Sequence, residues 1–452
     1  MESGFVRSAM WALVKINTRE RLILFAIFLN QFNYWPSFEF AGLGGFSFEI
    51  AMISGLVLFL NGYSEFKMAL VPKLFSMRKY LLLYVWLAYG AILGAVMSDE
   101  PEVIIVKSLY LGSVMLGAQV VALMHRENVI DFENILKGWV GVAMLMVPLY
   151  IAQYVLAALG VDWVSKRAYR VGVFEFPRLH GFSFEPLFLA NWLLVPTLYS
   201  LTKPKLQRKV AFVLSFVLLL TLARGAVIAL VLALLLYALL RKVRLEGLRN
   251  IFRPLTSALV LILLVTGLSA QFNGSTFLQG SFRYMDHLTL GLFNSGGASN
   301  VGYLEVGPDG REIINTREID RQGVVEASTV SRVDAIKLGF EIYEEQPITG
   351  VGMFRLGEEA NALYPEVYQD ESLVTNAQPV DTLVETGLIG TGLLALVFMT
   401  SLKVIFRKSI LVVMLAALVV QMLFFTNLFL LPFWLVLASV LATKPPKGLR
   451  IG

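Results

Sequence analysis

The chain has 452 residues, 57% of them hydrophobic and only 16% charged, with mean hydropathy +0.69, a balance that excludes an ordinary water-soluble domain and leaves a polytopic membrane protein. The formal net charge of +5 does not mark a nucleic-acid binder, because no arginine-rich tail, zinc-knuckle spacing or aromatic-basic ribbon accompanies it. With no cysteine, disulfides and thiolate metal sites are excluded as well.

At the N-terminus Phe5, Val6, Met10, Trp11 and Val14 interleave with Arg7 and Lys15 and predict an amphipathic helix along the inner surface. Apolar runs follow at Leu22–Tyr34, Ala41–Leu60, Tyr80–Met97, Val103–Met124, Ile135–Leu159, Phe182–Leu201, Val210–Ala223, Gly225–Leu240 and Leu255–Ala270. After a long interruption come Leu383–Leu402, Ile410–Met422 and Phe424–Ala442. The reading is an all-α polytopic membrane protein with about twelve transmembrane helices, some needing extra residues at their ends to cross. No small-residue cleavage site follows the first run, so it reads as a retained helix.

The basic residues mark topology independently, since short cytoplasmic connections collect Lys and Arg. They group at Arg19 and Arg21; Lys67, Lys73, Arg78 and Lys79; Arg126 and Lys137; Lys203, Lys205, Arg208 and Lys209; Arg241, Lys242, Arg244, Arg249 and Arg253; and Lys403, Arg407 and Lys408. The tail adds Lys444, Lys447 and Arg450. Both termini are therefore predicted to be cytoplasmic, with the acidic connection Ser98-Asp99-Glu100-Pro101-Glu102 on the far side. This divides the chain into a membrane bundle of nine spans over 1–271, a large periplasmic loop with short helices over 272–382, and three last spans with a cytoplasmic tail over 383–452.

The 272–382 segment holds seven basic and seventeen acidic residues, so any basic group stands out on it. From Ser328 the apolar positions Val330, Val333, Ile336, Phe340 and Tyr343 recur at helical spacing, with Ser328 as cap and Pro347 as stop. This predicts a helix lying across the outer mouth of the bundle on that face. The stretch 347–352, Pro-Ile-Thr-Gly-Val-Gly, then predicts a tight turn.

Arginines gather on this expected outer side: Lys166, Arg167, Arg170 and Arg178 in one connection, Arg224 in the Thr-Leu-Ala-Arg-Gly-Ala hairpin, Arg332 on the loop helix, and Arg355 after the turn. Facing guanidiniums repel, so such a gathering needs an anionic ligand or acidic neighbours. Placing Arg224 within a span costs roughly 2.5 to 3.5 kcal/mol, less with snorkelling. One or two charge-assisted hydrogen bonds to a phosphate, at roughly 1.5 to 3 kcal/mol each, offset that. Ending a helix at the headgroups explains Arg224 equally well. Glu185 beside Pro186 suits either a helix-dipole partner or an acid–base role, and His180 either a local hydrogen bond or catalysis. No histidine spacing typical of a metal site occurs. Asp381 and Glu385 stand four apart at the start of the tenth run, either as favourable charge at a helix start or as a base for a hydroxyl. Gly387, Gly390 and Gly392 predict close helix packing.

Taken in order, RLHGFSFEP at 178, LTLARGA at 220, SRVD and PITGVG within 331–352, and LVETGLIG at 383 resemble the O-antigen polymerase and O-antigen ligase superfamily of bacterial envelope glycosyltransferases. The resemblance covers about residues 165 to 392. It implies a polyprenyl-diphosphate (undecaprenyl diphosphate) glycan donor, transfer to a sugar hydroxyl at the periplasmic face of the inner membrane, and no metal or other cofactor. Arg224, Arg332 and Arg178 are similar to the arginines that hold the donor diphosphate, leaving Arg170 and Arg355 for acceptor or glycan binding. The base is one of Glu385, Asp381, His180 and Glu185. Where ligases of the superfamily carry His-Asn, this chain has Asn376-Ala377, which favours a polymerase joining lipid-linked repeat units, as in lipopolysaccharide or other surface-polysaccharide biosynthesis. A ligase delivering glycan to lipid A core is the alternative, and a flippase for lipid-linked oligosaccharide the third reading, though no internal repeat supports it. Expected partners are the lipid-linked oligosaccharide and the bilayer, with room for a chain-length regulator and none for nucleic acid.

Overall fold

Every apolar run overlaps a helix in the computed structural model, which describes residues 16–32, 37–39, 47–49, 53–158, 178–183, 185–203, 208–243, 245–272, 303–306, 312–315, 327–365, 374–405, 409–426 and 428–442. The helices are α1 Thr18–Leu29, α2 Ile53–Phe66, α3 Leu70–Phe75, α4 Leu81–Met97, α5 Pro101–Arg126, α6 Phe132–Ala158, α7 Pro186–Thr202, α8 Arg208–Leu220, α9 Arg224–Arg241 and α10 Leu245–Phe272. They continue with α11 Ala327–Glu345, α12 Leu356–Leu363, α13 Gln378–Ile405, α14 Ile410–Met422 and α15 Leu431–Leu441. Among the described residues six helical segments are long and apolar enough to cross a membrane, within α4, α5, α6, α9, α10 and α13. The other helices on apolar runs are shorter, from 11 residues in α15 to 17 in α7. The amphipathic segment near the N-terminus and the basic tail lie outside the described residues.

Lipid-facing and central helices differ in their burial. Leu81, Val85, Ile92 and Val96 of α4 and Leu232, Leu235 and Leu239 of α9 are exposed at spacings of three to seven, as one stripe facing hydrocarbon requires. By contrast α7 is buried around almost its whole circumference, and α14 and α15 nearly so. A helix that is apolar all round belongs inside a bundle. In α7, Trp192 packs 5.9 Å from Trp139 of α6, and its indole N–H donates to the Ile27 carbonyl of α1 at 2.8 Å.

The starts of α7, α9, α13 and α15 share one end of the bundle with the hairpin between α8 and α9. The opposite end carries Lys203, Arg208, Arg241 and Lys242, with Arg78 and Arg126 on the same side by helix direction. These ends are called here the hairpin end and the basic end.

Several expectations are corrected. The all-α class holds, with two short antiparallel hairpins in addition, β1 Ser37–Glu39 with β2 Ser47–Glu49 and β3 Tyr303–Val306 with β4 Glu312–Asn315. In the first, two copies of Ser-Phe-Glu pair so that Phe38 stands opposite Phe48 and each serine opposite a glutamate. On the run from Ala41 the described helix begins at Ile53. Helix α7 begins at Pro186 rather than Phe182, because proline occupies the first turn without losing a needed N–H. The last run is helical only from Leu431.

In α11, which begins one residue before the expected Ser328 cap, Phe340 is 43% exposed, while Ala335, Leu338, Gly339 and Ile342 form the buried face. That face turns toward α13: a Cβ at Gly339 would lie 3.0 Å from Thr375 and 3.2 Å from Val380.

The glycine series of α13 is not a packing stripe. Gly387 has φ 58° and ψ −164°, a conformation essentially reserved for glycine, and the helix breaks there. Gly392 has nothing within 4 Å of where a Cβ would stand. The break is closed by the 347–352 turn: Val351 and Gly352 donate to the Val384 and Glu385 carbonyls at 3.0 and 2.8 Å, while Leu388 and Ile389 donate to the Pro347 and Ile348 carbonyls at 3.0 and 3.2 Å. Helix α4 completes the join, since Met353 donates to the Gly90 carbonyl at 3.1 Å and Gly352 lies against Gly94 too closely for any side chain.

Gly387→Ala places a Cβ against the Ile348 carbonyl at a forbidden φ, and Gly352→Ala places one against Gly94. Each should lower stability by about 1–3 kcal/mol or more, read as the melting midpoint in detergent. Gly392→Ala should melt at or slightly above wild type, since it gains roughly 0.5–1 kcal/mol of helix propensity without a clash.

Candidate active site

The break at Gly387 leaves a half-helix, from Gln378 to Thr386, pointing its N-terminus to the hairpin end. It carries Asp381 and Glu385 one turn apart, and both are buried. Asp381 Oδ1 caps the preceding loop: it accepts from the Thr375 N–H at 2.9 Å and from the Thr375 hydroxyl. The Thr426 hydroxyl lies near enough to act on the same carboxylate, yet neither Asp381 Oδ2 nor Thr426 Oγ1 closes a hydrogen bond of normal geometry. Gln378 Oε1 is also buried with no hydrogen-bond partner among the described residues. The Phe354 N–H and the charge of Lys107 from α5 both lie near enough to act on the Glu385 carboxylate. Buried acceptor oxygens of this kind suit a hydroxyl-bearing ligand, which supplies a donor that the described residues do not.

The arginines approach through a second segment. Leu222 adopts φ +53° in the turn between α8 and α9, and Arg224 is the first residue of α9, half-buried. Arg178 donates from Nε to the Thr221 carbonyl at 3.3 Å and from Nη2 to the Leu222 carbonyl at 3.4 Å, so its cation meets the negative end of α8. Leu179 adds a backbone bond to the Leu220 carbonyl at 3.1 Å. The structure thus brings Arg178 and Arg224 to one hairpin.

Residues 424–430, between α14 and α15, tie this hairpin to the half-helix. Gly225 lies against Phe424, and Phe188 of α7 meets Phe425 edge-on at 4.8 Å. Thr426 faces Asp381, and Phe429 stacks on Tyr110 of α5 at 5.0 Å and on Phe354 at 5.4 Å. Four elements therefore meet on one irregular segment. Sequence reasoning missed Thr426, Phe429 and Lys107. Thr426-Asn427 interrupting an apolar run, with Pro432 after it, was the signal for a late helix start there.

The remaining candidates fall elsewhere. His180 is buried in a knot beside α6: its Nδ1 lies 3.2 Å from the Ser183 carbonyl, and the Gln153 amide exchanges hydrogen bonds of 2.8 and 2.9 Å with Gly181. The knot holds the strand that carries Arg178. Glu185 occupies the N-cap position of α7 without a side-chain capping bond. Arg332 belongs to α11, but its side chain lies outside the described residues, as does Arg170. Arg355 is 6% exposed and pairs with Glu358 at 3.1 Å and Glu359 at 2.7 Å, while its Nη1 donates to the Val351 carbonyl at 2.8 Å. Glu358 in turn accepts from the Ser98 hydroxyl at 2.9 Å and the Asp99 N–H at 3.1 Å. Arg355 is thus a strut between the 347–352 turn and the α4–α5 connection, its charge met by two carboxylates.

Residues 210–395 match the sequence model of a family described as O-antigen ligase. The match contains Arg224, Arg332, Arg355, Asp381 and Glu385, and ends before reaching back to Arg170, Arg178, His180 and Glu185. Neither a curated protein nor a solved structure matches the chain.

The strut has a pH signature. Burial alone would raise the Glu358 carboxyl, but its bonds to Arg355, Asp99 and Ser98 outweigh that and hold it below the usual value. Its contribution is complete above the unfolded value of about 4.3 and is lost as pH falls through the depressed folded value. Glu359 runs the other way: burial first, then Glu358 and Glu345, raise it despite Arg355, so its charged form weakens the fold as pH rises past the ordinary value. On acidification below about pH 4 the melting midpoint of wild type should fall more steeply than that of Glu358→Gln. Parallel curves would show that the strut is not electrostatic.

Proposed function

Taking as premise that residues 210–395 carry a domain of the O-antigen ligase family in a helical membrane protein, we propose that the chain is a polysaccharide polymerase of the bacterial inner membrane. It joins lipid-linked repeat units at the extracytoplasmic face, which is the hairpin end. The gathering of Lys and Arg at the opposite end supports this orientation.

The observation that supports the reading is that the half-helix with the buried carboxylates and the hairpin with the arginines both reach residues 424–430, through Asp381 beside Thr426 and Gly225 against Phe424. Arg224 and Arg178, with Arg332 from α11, hold the diphosphate of the donor. An acceptor hydroxyl attacks the anomeric carbon, the bond from that carbon to phosphate oxygen breaks, and the polyprenyl diphosphate leaves with the electron pair. The guanidiniums stabilise the negative charge that develops on it. The hydroxyl proton passes to the Asp381–Glu385 pair, whose Oδ2 makes no hydrogen bond among the described residues. Arg355, neutralised by its two carboxylates, drops out of the glycan-binding set, and His180 serves to seat Arg178.

The polymerase reading rests on Asn376-Ala377 at the place where ligases resemble His-Asn. Asn376 has φ +57° in the turn that precedes the half-helix carrying Asp381 and Glu385. The family description itself favours the second reading, a ligase delivering finished glycan to lipid A core.

In a strain lacking the protein, the polymerase reading expects only single repeat units on the carrier, whereas a ligase defect leaves long carrier-linked polymer. Arg224→Ala and Arg332→Ala should each abolish long polysaccharide while single units persist; normal chain-length ladders in both would overturn the donor cradle. With a synthetic diphosphate-linked repeat unit, Asp381→Asn or Glu385→Gln should lower kcat by roughly 100- to 10,000-fold, and chelator should leave the wild-type rate unchanged.

A further inference from the structure

At the basic end, about 27 Å along α9 from the Arg224 hairpin, a cavity of about 390 Å³ opens where α7, α8, α9 and α10 converge. Although consecutive, α9 and α10 pack chiefly on other helices, α9 on α14 and α7 and α10 on α8, so a cleft remains between their ends. The described wall contains Lys203, Arg208, Arg241 and Lys242 and no carboxylate. The cations are oriented largely by neutral groups. Arg241 donates to the Tyr237 hydroxyl at 2.6 Å, and that hydroxyl donates to the Thr202 carbonyl at 3.0 Å. Arg208 donates to the Asn250 amide oxygen at 3.3 Å. Among the described residues Arg208, Arg241 and Lys242 form no ion pair, and Lys203 shares Glu133 at 3.4 Å.

Topology accounts for cations at this end of the bundle but not for a cavity walled by four of them. Their mutual repulsion is relieved by an anion that several donors reach together. The apolar floor, Leu201, Ile251 and Pro254, suits a ligand with a hydrocarbon part, and the volume falls in the range of small-molecule sites. We propose that this cavity binds a phosphoryl group, carried by an anionic phospholipid headgroup or by a soluble phosphate ester. Basic pockets between membrane helices on this side suit such headgroups. The site is separate from the carboxylates and arginines of the hairpin end, and its standing does not depend on the reaction assigned there.

The full-length protein in nanodiscs of phosphatidylethanolamine, with and without phosphatidylglycerol or cardiolipin, tests this. Native mass spectrometry reads the lipid retained, and amide exchange reads protection over residues 241–251. A parallel arm titrates inorganic phosphate and glycerol 3-phosphate. Arg208→Gln and Arg241→Gln should each weaken retention about tenfold, whereas Arg253→Gln, exposed on α10 and outside the wall, should change it less than about twofold. Preference for anionic lipid assigns the headgroup; protection by soluble phosphate alone assigns a free ester at the same site. No protection of 241–251 by any of these in wild type, or equal loss from Arg253→Gln, overturns the proposal even if a wall variant fails to fold.

Discussion

A membrane helix that stops being helical must place its freed peptide groups somewhere, because hydrocarbon offers them no partner. In α13 the break at Gly387 releases carbonyls on one side and N–H groups on the other, and the 347–352 turn answers both with four backbone hydrogen bonds. Positive-φ glycines on each partner, Gly350 facing Gly387, permit the approach. Helix α4 can join only because Gly90 and Gly94 leave room for the turn. The Arg355 strut, the burial of Glu385 and the depth of Asp381 all follow from this three-way join.

The half-helix is one wall of the site, and the arginine hairpin reaches it indirectly. Residues 424–430 touch the hairpin through Phe424, α7 through Phe425, the half-helix through Thr426 and α5 through Phe429. The segment is itself secured: Trp434 Nε1 donates to the Leu428 carbonyl, and the Asn30 side chain accepts the Leu431 N–H at 3.2 Å. Chemistry-bearing groups as far apart in the chain as Arg178 and Glu385 are thus placed by contacts that are mostly aromatic and backbone. Charged side chains sit on this framework without building it.

Periodicity and charge punctuation made the helices legible, and the spacing from Val330 to Tyr343 foretold α11. Its orientation was not legible, because Ala335 and Gly339 add little to an apolar stripe yet mark where a helix can approach α13 closely. The Gly387 break was hidden for a similar reason: a glycine in an apolar run reads the same whether it packs, bends or faces open space, and this helix contains all these kinds of surroundings. Arg355 was legible as a cation, and Arg-Leu-Gly-Glu-Glu also carried the two acids at helical spacings of three and four that pair with it. The carboxylate pair and the hairpin arginines were visible from sequence as polar residues at helix starts. Their common anchor was not, because Thr426-Asn427 signals only a late helix start and Phe429 blends into the apolar run around it.

The shortness of α15 has a consequence for the surrounding lipid. Eleven residues rise only about 17 Å, little more than half of the roughly 30 Å hydrocarbon layer. Its buried neighbours α7 and α14 are also short, at 17 and 13 residues, while the longer α4, α5, α9 and α10 carry the exposed apolar stripes. Helices of lipid-matching length thus stand outside and the short ones inside, so any thickness that surrounding hydrocarbon must match is set by the outer set alone.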